Sequence, residues 1–216
     1  MNDAYVVVFE SQNIKFINIT ESLIDEYLKM INDIGNVGRM IGRTSPVSKE
    51  KELKWIRSKI EEKALIYTMI EKGSGAFIGN IELMDATKTE AELGIAITKE
   101  KQDKGYGTEA ILELLKYAFN TLGLNKITLK AYPVNARAIH VYKKCGFIEY
   151  KATDEDIYME IYKKNIDKDK YRVNPVKKTK KVRISKNLSG EDIDLLIDNR
   201  NTNKKKSICD THEDGA

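Results

Sequence analysis

The stretch Ala91-Glu92-Leu93-Gly94-Ile95-Ala96-Ile97, followed by Gln102-Asp103-Lys104-Gly105-Tyr106-Gly107-Thr108, decides how this chain reads. Its first part alternates along one strand, Ala91 to Thr98, with Leu93, Ile95 and Ile97 on one face and Glu92, Gly94 and Ala96 on the other. Its second part runs directly into a helical pattern, Gly107 to Leu122. The apolar stripe there is Ile111, Leu114, Leu115, Ala118 and Leu122, and Gly123 is placed to end it. A helix start leaves unpaired backbone N–H groups and a partial positive charge. Gly105 and Gly107 carry no side chains, so the backbone there can come close to a bulky anion. Strand, glycine turn and helix start together read as a pyrophosphate cradle. A plain glycine-containing turn is the alternative. The Gly-x-x-x-x-Gly-Lys-Ser/Thr of a P-loop is absent, as is Gly-x-Gly-x-x-Gly after the first strand.

The flanking sequence alternates strand and helix patterns. Upstream, Tyr5 to Glu10 and Ile14 to Ile19 are β-rich runs broken at Ser11-Gln12-Asn13, the pattern of a hairpin. Thr20 and Glu21 open a helical stretch with Leu23, Ile24, Tyr27, Leu28 and Ile31 at helical spacing. Gly35 to Pro46 reads as a loop. Ser48 opens a second helix, Lys49 to Glu62, with Leu53, Ile56 and Ile60 expected on one face. Strands Ala64 to Glu71 and Ala76 to Leu83 flank a Lys72-Gly73-Ser74-Gly75 turn able to supply positive φ. Downstream come a strand, Lys126 to Ala131, a helix, Ala136 to Lys144, and two short strands, Phe147 to Tyr150 and Ile157 to Ile161. The pattern predicts one α/β (α+β) domain over residues 1–162.

Charge separates this body from the remainder of the chain. The 216 residues hold 37 basic and 33 acidic side chains, a balance of +4. Residues 163–216 hold 15 basic and 9 acidic, leaving 22 and 24 for residues 1–162. The basic surplus belongs to the segment 163–216, expected to be a flexible tail with one short amphipathic helix, Ser189 to Asn199. A slightly acidic body argues against nucleic-acid binding by the main domain and suits a cationic substrate. No apolar run approaches the ~18 residues of a membrane helix. Met1-Asn2-Asp3-Ala4-Tyr5 does not read as a basic region before an apolar stretch, so no secretion signal is expected there. Cys145 and Cys209 show no metal-ligand spacing. The expectation is a cytoplasmic protein with no metal and no membrane contact.

A second motif lies downstream: Asn135-Ala136-Arg137-Ala138-Ile139-His140-Val141-Tyr142-Lys143-Lys144-Cys145-Gly146-Phe147. With it the sequence resembles the GNAT superfamily of acetyl-CoA-dependent N-acetyltransferases. The family's central Gln/Arg-x-x-Gly-x-Gly/Ala is matched by Gln102, Gly105 and Gly107. Its later motif, an Asn, a helix, and a Tyr before Gly-Phe, is matched by Asn135, Tyr142, Gly146 and Phe147. One long helix and one strand separate the two, as in the family. The resemblance covers roughly Ile14 to Tyr162 and is nearest to the Rim-type protein N-terminal acetyltransferases and the spermidine acetyltransferases.

The resemblance implies a mixed, mostly antiparallel central sheet flanked by helices. The sheet splays into a V between strands Ala91–Thr98 and Lys126–Ala131, and acetyl-CoA as co-substrate sits in the V. The pantetheine amides would pair with the strand around Ile95 and Ile97, one of whose N–H groups could polarise the thioester carbonyl. The pyrophosphate would rest on N–H groups of Lys104, Gly105, Tyr106, Gly107 and Thr108, with Gln102 preceding them. An amine would attack the thioester directly through a tetrahedral intermediate. Tyr142, a phenol protonated at neutral pH, would give the departing sulfur its proton. Glu92 is the candidate base; an exposed strand glutamate is the alternative. Asn135 is a good N-cap and, in the family, touches the pantetheine arm. His140 reads as a packing residue or a surface contact and not as a base, and Cys145 as packing near the helix end. A non-catalytic acyl-CoA-binding or sensing module on the same fold is the competing function. The acceptor, a small amine or a peptide or protein amine, is not encoded in a legible motif, although Gly38-Arg39-Met40-Ile41-Gly42-Arg43 lies where it would enter. A homodimer is possible on this fold.

Overall fold

A computed structural model describes residues 5–165. The expected amphipathic helix at Ser189–Asn199 and nearly all of the proposed tail lie outside the described residues. The elements run β1 (Val7–Glu10), β2 (Ile14–Asn18), α1 (Ile24–Ile31), α2 (Val37–Met40), α3 (Lys49–Glu61), β3 (Leu65–Glu71), β4 (Phe77–Met84), β5 (Glu90–Ile97), α4 (Tyr106–Asn120), β6 (Lys126–Ala131), α5 (Ala136–Lys144), β7 (Ile148–Ala152) and β8 (Ile157–Tyr162). The strands form one sheet in the order β1-β2-β3-β4-β5-β6-β8-β7. Every neighbouring pair is antiparallel except β5 and β6. This is the mixed, mostly antiparallel sheet expected.

Alternation along the strands sends apolar residues to both faces, so both are covered. Tyr67 and Met69 of β3 join Ile81 and Leu83 of β4 and Leu93 of β5 in the larger core. Helices α4 and α5 close that core through Ile111, Leu114, Leu115 and Ile139. On the opposite face Ile17, Ile66 and Ile70 pack with Tyr27 of α1 and Ile56 of α3. The Tyr27 hydroxyl shares a 2.6 Å hydrogen bond with Thr68 Oγ1, which satisfies both buried groups.

Local signals behave as the sequence suggests. Thr20 Oγ1 accepts from Ser22 N at the first helical turn, and Ser48 Oγ accepts from Lys51 N at the start of α3. Gly75 takes φ +72° in the β3–β4 turn, and Gly123 takes φ +76° beyond α4.

Two expectations are corrected. Ile60 is 45% exposed, and α3 turns Glu52 inward in its place. The segment read as a loop contains α2. Gly38 permits that turn, because a Cβ there would stand 2.6 Å from the Ile31 carbonyl oxygen.

Candidate active site

The parallel contact between β5 and β6 is short. It pairs Glu90 with Lys126, Ala91 with Ile127 and Glu92 with Thr128, and there it ends. Beyond Glu92 the two strands diverge, which opens the V. Thr98 N donates to Ile78 O on the β4 side. By alternation, the N–H and C=O groups of Ile95 and Ile97 face the V. The Ile97 carbonyl is already engaged, accepting from Gln102 Nε2 at 2.8 Å. Gln102 also reaches Asn36 Oδ1 at 3.2 Å. It therefore fixes the end of β5 rather than standing free in the cleft.

The glycine turn closes the V at one end. Gly105 is the N-cap of α4, with φ +86° and no side-chain cap on the first turn. A Cβ at Gly105 would meet nothing within 4 Å. Open space thus lies beside Gly105 at the helix start, a fit for a phosphate-bearing ligand. At Gly107 a Cβ would stand 3.5 Å from Ile97 Cδ1 and 3.9 Å from Val141 Cγ1. Gly107 is the point where β5, the start of α4 and α5 converge. Lys104 is exposed at the turn, and Thr108 is half-buried in the first helical turn.

The side chain of Tyr106 points elsewhere. Its hydroxyl donates to Glu71 at the end of β3. Lys101 Nζ donates to the same carboxylate at 2.9 Å, and Ser74 Oγ donates to it as well. These donors, Ser74 first, hold the Glu71 pKa down at about 2. A second strut comes from Glu109. Its carboxylate accepts from Ser11 Oγ and Asn13 N, both at 2.6 Å, and from Asn13 Nδ2 at 2.9 Å. The turn-and-helix unit is thus tied to two hairpins. Neither glutamate stood out in the sequence, because each partner set lies far along the chain and no local pattern marks it.

Tyr142 lies on α5, 7% exposed, in an edge contact with Phe147 at 6.1 Å between ring centroids. Burial pushes its pKa up to about 12. Among the described residues its hydroxyl has no hydrogen-bond partner. Asn135 caps α5, with Oδ1 accepting from Ala138 N at 3.2 Å. Glu92 is half-buried at the last paired position of β5, where the V begins. Across the register Glu82 of β4 sits opposite Gly94. Its pKa is raised, first by burial, against the pull of Lys59 and with a push from Glu92. Glu82 was not singled out in the sequence, where it is one more strand glutamate.

Among the described residues no group of His, Cys, Asp and Glu could hold a metal ion, and no helix is long and apolar enough to cross a membrane.

Comparison with known proteins agrees with this geometry. Residues 13–148 match the acetyltransferase (GNAT) domain family. A spermidine N(1)-acetyltransferase of Vibrio cholerae is 33% identical over 93 residues, 42% of this chain and 54% of that protein. The aligned stretch thus spans about half the length of that relative. The crystal structure of a spermidine N-acetyltransferase from Vibrio cholerae in complex with CoA and spermine superposes with TM-score 0.65 at 22% identity. It covers 72% of this chain and 98% of that one. A ribosomal-protein-S5-alanine acetyltransferase from Vibrio fischeri superposes with TM-score 0.62 at 18% identity, covering 74% and 97%. A sheet that splits at Glu92, a glycine turn at the mouth of the split and a family match across both motifs lead to one assignment: the chain belongs to the GNAT acetyltransferase family.

Proposed function

We propose that this protein transfers the acetyl group of acetyl-CoA to a primary amine by direct attack of the amine on the thioester. The observation that carries the reading is the split between β5 and β6 after Glu92, with the open helix start at Gly105 at its mouth. When bound, acetyl-CoA supplies an activated acyl group and a thiolate leaving group. Backbone N–H groups from Lys104 to Thr108 hold the pyrophosphate, and the Ile95–Ile97 edge pairs with the pantetheine amides. An N–H on that edge faces the carbonyl oxygen and stabilises the charge that develops there. Tyr142 protonates the sulfur. Its buried phenol keeps its proton at neutral pH, and its hydroxyl, with no hydrogen-bond partner among the described residues, can donate. Glu92, at the apex of the V, takes part in deprotonating the amine. Asn135 holds α5, and with it Tyr142, in place.

The acceptor is read as a small cationic amine, supported by the slightly acidic body and by relatives named for spermidine. The domain is read as residues 1–162. A cytoplasmic setting fits the buried Cys145, whose thiol donates to the Thr108 carbonyl. A non-catalytic acyl-CoA sensor has no need of a phenol with a free hydroxyl on α5. Thioester consumption with a panel comprising spermidine, an aminoglycoside, a lysine peptide and a peptide with a free N-terminus tests the reading. Turnover with one of these is expected. CoA binding without turnover on any of them supports the sensor instead.

A further inference from the structure

The face of β4 and β5 turned away from α4 carries two glutamates in neighbouring positions. Register places Asn80 opposite Ala96, Glu82 opposite Gly94 and Met84 opposite Glu92. Gly94 has no side chain, and Glu82 uses the space. Its Cγ and Oε1 lie 3.0 Å from where a Gly94 Cβ would be. The Glu82 carboxylate is thus laid across β5, one residue from the Ile95 edge of the V and two from Glu92. Glu92 is the last residue of β5 paired to β6. Two positions back along β4, on the same face, Asn80 Oδ1 is buried with no donor among the described residues. The face therefore offers acceptor oxygens in excess of donors.

Resting on the acetyltransferase reading above, we propose that Glu82 is the residue that receives the acceptor's ammonium and takes its proton, with Glu92 as its neighbour at the apex of the V. A half-buried carboxylate with a raised pKa suits this task. It is more basic than an exposed glutamate, yet it still pairs with a cation. The charged groups that act on it are Lys59 of α3, which lowers its pKa, and Glu92, which raises it. Lys59 is itself paired with Glu62 at 2.7 Å, so its charge does not neutralise Glu82 and Glu92, and the face can take an added positive charge. The protons balance. The ammonium gives one proton to Glu82, which releases it to solvent. The neutral amine forms the C–N bond as the thioester carbonyl becomes an oxyanion, and collapse of that tetrahedral intermediate breaks the C–S bond. Tyr142 protonates the sulfur and is reprotonated by the second N–H of the attacking amine. The inference assigns alkylammonium acceptors to this face.

The test compares the full-length wild type with Glu82→Gln, Glu92→Gln and Gly94→Ala. Glu82→Gln keeps the shape of the side chain and removes its charge. Gly94→Ala keeps the charge and pushes the carboxylate aside, because the three atoms nearest the new Cβ are Glu82 Cγ and Oε1, both at 3.0 Å, and Met84 Cε, at 3.1 Å, all on flexible side chains. Calorimetry with CoA alone checks the cofactor site, and all four proteins are expected to bind it equally. Calorimetry of spermidine, and separately of a short peptide with a free α-amine, onto the CoA-loaded proteins reads the acceptor site. Glu82→Gln and Gly94→Ala are each expected to weaken the amine that binds by about tenfold or more, as for loss of a charge-assisted hydrogen bond. In turnover, Glu82→Gln should show a larger deficit at about pH 6 than at about pH 9, where more of the amine is already neutral. Amine affinity within twofold of wild type in both variants overturns the assignment. So does an amine affinity lost only in Glu92→Gln, or no binding of either amine to the CoA-loaded wild type. Loss of CoA binding by the wild type itself would strike the acetyltransferase reading instead.

Discussion

At the scale of single residues, burial and partner choice decide what each polar group can do. Tyr142 is buried, with no hydrogen-bond partner for its hydroxyl among the described residues, and burial first, with Cys145 beside it, holds its proton until about pH 12. Tyr142→Phe keeps the ring contact with Phe147 and removes only the hydroxyl. Steady-state kinetics should show kcat falling by about 10²-fold, the low end for a general acid because water can substitute in part, with a smaller change in the KM for acetyl-CoA. Over about pH 6–9 the wild type should show no descending limb from Tyr142, since its neutral form persists throughout that range. Wild-type kcat in the Phe variant would make Tyr142 a packing residue. Glu71 is the opposite case. Three donors lower its pKa from 4.5 to about 2, so the folded state binds that proton less readily than the unfolded chain. The stabilisation is present above about pH 4.5 and is lost as pH falls toward 2. The Tm difference between wild type and Glu71→Gln should therefore close over that interval, and a gap independent of pH would show that the donors do not hold the carboxylate. Sequence singled out Tyr142 through its motif. It could not single out Glu71, whose role depends on Tyr106 and Lys101 approaching from another part of the chain.

Elements were legible where periodicity or caps marked them, and less so where close approach did. The long helix, its glycine entry and the strand before it follow from spacing, and α4 and β5 lie where that spacing puts them. The α2 turn was missed because its signal is not apolar periodicity but a glycine pressed against the Ile31 carbonyl. A similar close approach sits at the end of β5. At Gly79 a Cβ would fall 2.0 Å from the Ala96 carbonyl oxygen, a backbone atom that cannot swing away. Gly79→Ala should therefore separate β4 from β5 at the mouth of the V and destabilise the protein by about 3 kcal/mol, the upper range for overpacking. Urea unfolding monitored by circular dichroism checks the magnitude, and a change under about 0.5 kcal/mol would show that the strand pair tolerates the group. The entry of α4 responds differently. Gly105→Asp meets open space, although its φ of +86° disfavours any side chain other than Asn or Asp. The folded variant places a carboxylate where the pyrophosphate is expected. CoA affinity should fall by about tenfold or more on calorimetry, and unchanged affinity would remove the cradle assignment.

For the molecule as a whole, the question is where the functional unit stops. The larger core closes with Met159 and Ile161 of β8, and the family match ends at residue 148. Lys163 then fastens the end of β8. Its N–H donates to Asn125 O at 2.9 Å and its Nζ to Phe119 O at 2.6 Å. Every group proposed to touch acetyl-CoA or the amine lies before residue 150. The V itself was legible because two motifs fixed the order of strand, turn and helix between them. The acceptor side was not, because Glu82 and Gly94 meet only through the register of β4 on β5. The charge imbalance in the sequence points the same way, with 15 basic residues against 9 acidic after position 162 and near-neutrality before it. A basic segment could raise the local concentration of a polyanionic ligand, but that contribution is screened within about 8 Å at physiological salt. A chain ending at Lys164, which retains both Lys163 bonds, is therefore expected to bind acetyl-CoA with nearly the affinity of the full chain at about 0.15 M salt. Calorimetry on the two proteins decides it. A loss of tenfold, about 1.4 kcal/mol, would place residues after 164 inside the functional unit. A loss seen only at low salt would assign them long-range attraction and no direct contact.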